Sequence, residues 1–316
     1  MRLCSVSVDL DEIPNYFAIH GLPTPAGPEA HAVYDLALGR LLDLATAHRI
    51  PLTLFAVGAD LVQPSSAAAL RKLIDAGHEV GNHTLDHRYD LTRLSRAEQL
   101  HQIADGAAAI RAAVGEAPTG FRAPGYTITD QLYGVLQEAG VAYSSSVFPC
   151  PPYYLAKALA MVLIRLRRRT SHSILDVPQV LLAPRQPYRV GTPYWKRGAG
   201  MVEMPMQVTR WLRLPYIGTT LTLFGPTKTR WLTQGVTHSP FVNLELHGID
   251  VLAAQDGLNA LVPHQPDVRV TLQSKLDSLS EAISGLKKAG YSFVRLDEAA
   301  RSSATPLESK NLRARS

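Results

Sequence analysis

His83 and His87 stand four residues apart in the run His83-Thr84-Leu85-Asp86-His87. Histidines at that spacing share a face when the residues between them make a helical turn. Neutral imidazole is the commonest side-chain ligand of a divalent metal near neutral pH, and the metal needs at least one ligand more. Candidates fall at the ends of other stretches. Asp9 and Asp11 point the same way at the end of Leu3 to Asp11, a strand pattern with Val6, Val8 and Leu10 on its other face. Arg122 precedes Pro124 and Gly125, and His247 follows the apolar run Phe241 to Leu246. One aspartate and two histidines make a three-ligand set that leaves positions open for water and substrate, the pattern of a catalytic site. The other aspartate then suits a general base, which Arg122 would keep ionised and oriented. His247 would protonate a leaving amine, and backbone N–H groups after Pro124 would help stabilise a tetrahedral oxyanion. Zinc is the default metal for such ligands, with cobalt, nickel, manganese or iron able to take the same place.

These residues need elements to carry them. Glu29 to His48 has helical spacing, Pro51 to Val57 reads as a strand, and Ser65 to Ala76 as a helix stopped by Gly77. Ser95, with Glu98 three residues on, starts a helix to Val114. Gly120 to Pro124 is a short strand and turn, Thr129 to Ala139 a helix and Val141 to Val147 a strand. After His247 come a helix over Val268 to Ala289 and a last strand over Tyr291 to Leu296. Pro14 to Pro28 reads as a loop. Strand alternating with helix predicts a mainly parallel sheet, barrel or doubly wound, with ligand sites at the carboxyl ends of its strands.

Composition narrows the class. With 316 residues, 46% hydrophobic and 19% charged, the chain can bury a sizeable core and is not a disordered one. Cys4 and Cys150 make no disulfide framework. A net charge of +5 permits an acidic or phosphate-bearing partner without demanding one, and no nucleic-acid partner is expected. Met1 to Val6 runs into Asp9 without an apolar leader, and no run is long enough to span a membrane, so the expected location is the cytoplasm.

The middle of the chain is least regular. Pro151 to Arg169 joins an apolar run to Arg165, Arg167, Arg168 and Arg169. It reads as an amphipathic helix packed on the domain, or as an element touching a membrane interface or a lipid phosphate. Residues 176–235 read as an insertion or long loops around one strand, Met201 to Val208. The domain expected is 1–300 with that insertion at about 150–235, and 301–316 a frayed tail.

Several blocks resemble the polysaccharide deacetylase family, the NodB-homology or carbohydrate esterase 4-like proteins. They are Ser7-Val8-Asp9-Leu10-Asp11, His78-Glu79-Val80-Gly81-Asn82-His83-Thr84-Leu85-Asp86-His87, Gly120-Phe121-Arg122-Ala123-Pro124-Gly125-Tyr126 and Leu244-Glu245-Leu246-His247. The resemblance implies a distorted (β/α) barrel of about seven strands and metal-dependent hydrolysis of an N-acyl group on a sugar. Carried over by motif, Asp9 is the base, Asp11, His83 and His87 bind the metal, Arg122 orients Asp9 and His247 is the acid. The family's common form has adjacent aspartates. Here Leu10 separates them, which resembles a subgroup that includes lipid-linked arabinose deformylases. Trp195 and Glu203 lie where the family carries a tryptophan-and-aspartate motif, and Asp250 is a candidate partner for a histidine.

The expected activity is removal of a formyl or acetyl group from an amino sugar, free or lipid-linked, with peripheral contact at the inner membrane face. The competing expectations are a cyclic-amide or ureide hydrolase of the allantoinase-like branch, and a non-catalytic sugar- or lipid-binding protein.

Overall fold

The computed structural model describes residues 2–166 and 174–304. Its central strand, β1 (Arg2–Asp9), has Cys4, Val6 and Val8 in the main apolar core, while Ser7 and Asp9 turn to the opposite face. Parallel to it runs β8 (Phe241–His247), in the register Ser7↔Glu245 and Asp9↔His247. Its Val242, Leu244 and Leu246 join the same core, so Asn243, Glu245 and His247 share the inner face with Ser7 and Asp9.

On the other side of β1 follow β2 (Leu52–Ala56), β3 (Glu79–Asn82), β4 (Gly120–Phe121), β5 (Tyr143–Ser144), β7 (Arg197–Glu203) and β6 (Tyr188–Val190). From β7 round to β8, seven strands are mutually parallel; β6 is antiparallel to β7, and β9 (Tyr291–Phe293) pairs with Arg2–Cys4. Past Glu203 the chain crosses from β5 to β8. Met204 N–H donates to Ser144 O at 2.8 Å and Gln207 N–H to Asn243 O at 3.1 Å. The α/β sheet curls into the distorted barrel expected of the sequence.

Helices cover the outside: α1 (Ile13–Ile19), α2 (Leu38–His48), α3 (Pro64–Asp75), α4 (Arg96–Val114), α5 (Asp130–Glu138), α6 (Pro151–Leu166), α7 (Gly218–Gln234), α8 (Leu272–Lys288) and α9 (Leu296–Ala304). The strongest sequence signal holds in detail. Ser95 caps α4 in a reciprocal capping box with Glu98, and Gly115 closes it in the left-handed conformation.

Several boundaries differ from those read in the sequence. Within the stretch read as a loop, Pro14 occupies the first turn of α1, where its missing N–H costs nothing, and Ile13, Tyr16 and Phe17 are buried. Residues 28–48 are helical in three pieces, a 3-10 turn, a π turn and then α2. Within 176–235 lie β6 and α7, and Gly225 (φ 79°) before Pro226 interrupts the α7 period. β7 begins at Arg197 and stops at Glu203, because Pro205 cannot continue a ladder. At the other end β9 stops at Phe293 and α9 takes residues 296–304, so part of the expected tail is helical. Arg167, Arg168, Arg169 and residues 305–316 lie outside the described residues. Among the described residues no helix is long and apolar enough to cross a membrane.

Candidate metal centre

The histidine pair does not sit on a helical turn. Thr84 (φ 73°) and His87 (φ 52°) take left-handed backbone conformations in a tight turn after β3. Asn82 fixes that turn. Its Oδ1 accepts from Thr84 N–H at 2.9 Å and its Nδ2 donates to Ile103 O on α4 at 2.8 Å. The Thr84 hydroxyl accepts from His87 N–H at 3.0 Å, and Leu85 N–H donates to Gln102 O at 2.9 Å. Gly106 brings α4 directly against the turn. A Cβ there would lie 2.8 Å from the Thr84 carbonyl carbon and 2.9 Å from Leu85 N.

The turn brings the two imidazoles onto one carboxylate. Asp11 Oδ1 lies 3.1 Å from His83 Nε2 and 3.1 Å from His87 Nε2, and all three residues are buried. His83 Nδ1 lies 2.8 Å from Arg122 O, which assigns its proton to Nδ1 and leaves the Nε2 lone pair facing Asp11. Asp11 Oδ1 and His87 Nε2 are buried without a hydrogen-bond partner. Burial works against charge on Asp11, yet the two imidazoles hold its carboxyl well below the usual range. Ligand atoms converging from Asp11, His83 and His87, those of Asp11 and His87 orphaned, fit a divalent cation, which would satisfy them at once.

Next to this group Asp9 is locked in place. Arg122, fully buried, donates from Nη1 to Asp9 Oδ1 at 2.6 Å. Its other donors go to Ser145 O, Ser7 Oγ and Ser145 Oγ, each at 2.8 Å, and its guanidinium lies 4.2 Å over the Phe55 ring. Gly81 makes room for that ring, since a Cβ there would fall 2.5 Å from it. Asp9 Oδ2 faces the metal group, 3.9 Å from His83 Nε2.

His247 arrives on β8 with its ring partly exposed. Its Nδ1 lies 3.0 Å from Glu245 Oε1 and its Nε2 3.2 Å from the Tyr126 hydroxyl. Burial alone would lower its pKa, but Glu245, then Asp11 and Asp9, carry it up to about 9. Burial pushes the Glu245 carboxyl up to about 7. Neither Glu245 nor Tyr126 was assigned a role from the sequence. The available signal was a lone carboxylate in an apolar strand, two residues before a histidine and so on the same face.

Four further candidates take these places. In the turn after Pro124, the Tyr126 N–H donates to Ala123 O at 3.1 Å. Asp250 accepts from the His247 backbone N–H at 2.8 Å and from the Thr219 hydroxyl at 3.0 Å, holding the chain and not the ring. Glu203 is spent on Ser146 N–H, Val147 N–H and the Tyr133 hydroxyl. Trp195 packs beside Tyr194 in the core around Tyr188 and Val190.

A polysaccharide deacetylase family model matches residues 33–144. A chitooligosaccharide deacetylase of Bradyrhizobium sp. (strain ANU 289) is 36% identical over 104 residues, 32% of this chain and 46% of the relative. A peptidoglycan deacetylase of Helicobacter pylori is 24% identical over 157 residues, 48% of this chain and 53% of the relative. The chain thus spans about half the length of the curated relatives it matches. A crystal structure from Mycobacterium smegmatis, of a protein assigned to the polysaccharide deacetylases, superposes with a TM-score of 0.60 at 16% identity, covering 96% of this chain and 90% of that one, and so shares its fold. Residues 33–144 thus match the polysaccharide deacetylase family, and the curled sheet shares the fold of a structure assigned to it.

Proposed function

We propose that the protein is a metal-dependent hydrolase that removes an acetyl or formyl group from the nitrogen of an amino sugar. The observation that carries this reading is the meeting of Asp11, His83 and His87 at 3.1 Å, beside an Arg122-held Asp9 and a Glu245-held His247. The matched relatives, named for deacetylation of chitooligosaccharide and peptidoglycan, support an N-acylated sugar as substrate.

Asp11 Oδ1, His83 Nε2 and His87 Nε2 would hold the metal, with zinc suited to two imidazoles and a carboxylate. Such a cation acidifies water and polarises an acyl carbonyl. With Oδ1 tied to Arg122, Asp9 keeps Oδ2 to take a proton from the attacking water. As the carbon–nitrogen bond breaks, His247 Nε2 gives its proton to the departing amine, and the adjacent Glu245 carboxylate keeps the ring charged until then. The Tyr126 hydroxyl, 3.2 Å from that nitrogen, aims the ring.

The test is a panel with purified, metal-analysed protein: an N-acetylglucosamine oligomer, a formamido-sugar and allantoin. Amine release from either sugar supports the reading. Hydrolysis of allantoin alone would replace it with a ureide hydrolase.

A further inference from the structure

The leucines of α6 do not anchor it to the barrel. Leu155, Leu159, Val162, Leu163 and Leu166 are each between 45% and 74% exposed. Tyr153 and Lys157 stand four residues apart, and so on one face, and that face is committed to the turn Pro124–Tyr126 after β4. Lys157 Nζ donates to Gly125 O at 2.8 Å. The Tyr153 ring packs on Tyr126 and on Phe148, with ring centres 5.8 and 4.8 Å apart. Tyr154 holds the far end of the same segment through Asp176. Its hydroxyl donates to Asp176 O at 3.0 Å, and Asp176 Oδ2 accepts from Ile128 N–H at 3.4 Å.

That turn needs holding. Gly125 (φ 63°) and Tyr126 (φ 56°) are both left-handed, and a tyrosine keeps such a backbone only where its surroundings impose it. Gly125 is wedged between α6 and the metal group. A Cβ on it would stand 3.1 Å from Tyr89 Cδ1 and 3.4 Å from Lys157 Nζ, and the Tyr89 ring meets that of His87 edge-on, 4.7 Å between centres. In this conformation the Tyr126 hydroxyl lies 3.2 Å from His247 Nε2, the nitrogen that faces the departing amine in the reading above.

Lys157 is an odd choice for packing alone. Its ammonium goes to a backbone carbonyl and not to a carboxylate, and burial draws its pKa down to about 8. Enclosing a cation on such terms does little for a fold. Its gain is positional, because the carbonyl it holds belongs to the residue before Tyr126.

We propose that Lys157 is a positioning residue for the deacylation: through Gly125 O it fixes the left-handed backbone of Tyr126, and Tyr126 in turn fixes the ring of the acid, His247. The assignment rests on the N-deacylase reading and extends its working parts to α6.

A double-mutant cycle tests the chain of contacts, with an N-acetylglucosamine oligomer as substrate and metal content matched to the parent. Lys157→Met keeps the reach of the side chain and removes its donor. It should lower kcat by about 10- to 100-fold, the scale on which a misplaced catalytic group is felt, with KM unchanged. In a Tyr126→Phe background the same substitution should cost less than about twofold, because the contact it serves is already gone. Equal losses in the two backgrounds would overturn the proposal and leave Lys157 a packing role. Lys157→Ala serves as a second variant should Lys157→Met fold poorly. Added butylammonium should restore its kcat, whereas tetramethylammonium, which has no N–H to donate, should not, and an equal response to both would count against the proposal. The ring-nitrogen NMR signals of His247 supply a readout that needs no turnover. They should move in Lys157→Met as they do in Tyr126→Phe. Such a shift, with no N-acyl sugar hydrolysed by the parent, would keep the positioning contact and sink the deacylase reading. Signals unmoved by Lys157→Met would overturn the assignment whatever the substrate.

Discussion

Arg122 Nη1 donates to Asp9 Oδ1 at 2.6 Å, joining strands 113 residues apart in a pair with neither side chain open to water. A charge so placed is costly unless its donors are matched, and here all three nitrogens donate, in four hydrogen bonds. The pair makes Asp9 the carboxylate with a single free oxygen, and Asp11 the one with none of its charge answered by an arginine.

That asymmetry separates two variants. Asp9→Asn should lower kcat by about 10²–10⁴, the usual contribution of a general base, with metal content unchanged. If Asp11→Asn behaves so instead, the two carboxylates exchange roles. Arg122→Met should cost about 3–5 kcal/mol of stability by leaving Asp9 buried and unpaired, read as a shifted urea midpoint. The double variant Asp9→Asn, Arg122→Met should recover part of that loss.

His83→Ala should release metal and abolish turnover together. Its loss of affinity should exceed the roughly 10–100-fold that follows removal of a supporting hydrogen bond. Metal analysis after dialysis checks this, and full metal content in the variant would remove His83 from the ligand set.

Glu245→Gln tests the acid. With Glu245 present, His247 keeps its proton up to about pH 9, so the rate should fall as pH rises through that value. Without the carboxylate the falling limb should move down towards the ordinary histidine value of about 6.5. A pH–rate profile of kcat/KM for both proteins decides it, and an unmoved limb would leave Glu245 with a structural role alone.

The candidate site residues are legible in the sequence because each ends or follows a recognisable strand, as Asp9 ends β1 and His247 ends β8. The path between them is not. His83 and His87 were read on a helical turn, but Asn82 and Thr84 bend that segment through left-handed conformations that spacing cannot reveal. Glu245 was hidden because an acidic residue in a strand ordinarily faces water, whereas a closed sheet buries both faces. α7 escaped notice because Gly225 and Pro226 interrupt its period, and α1 because Pro14 and Asn15 resemble a turn.

Gly106 offers a test from outside the site. A methyl group there would press on the Thr84–Leu85 backbone, so Gly106→Ala should destabilise the fold by about 1–3 kcal/mol despite its better helix propensity. Metal affinity should fall with it. A variant as stable as the parent, with metal retained, would show that α4 yields without disturbing the histidine turn.

The most direct test of the central claim is a zinc titration of chelator-stripped protein, reading amine release from an N-acylated amino sugar. Turnover should be absent from the stripped protein, rise in proportion to added zinc and level off at one equivalent per chain, while His87→Ala stays silent throughout. Full activity in the stripped protein, or an equal response from His87→Ala, would contradict the metal centre drawn from Asp11, His83 and His87.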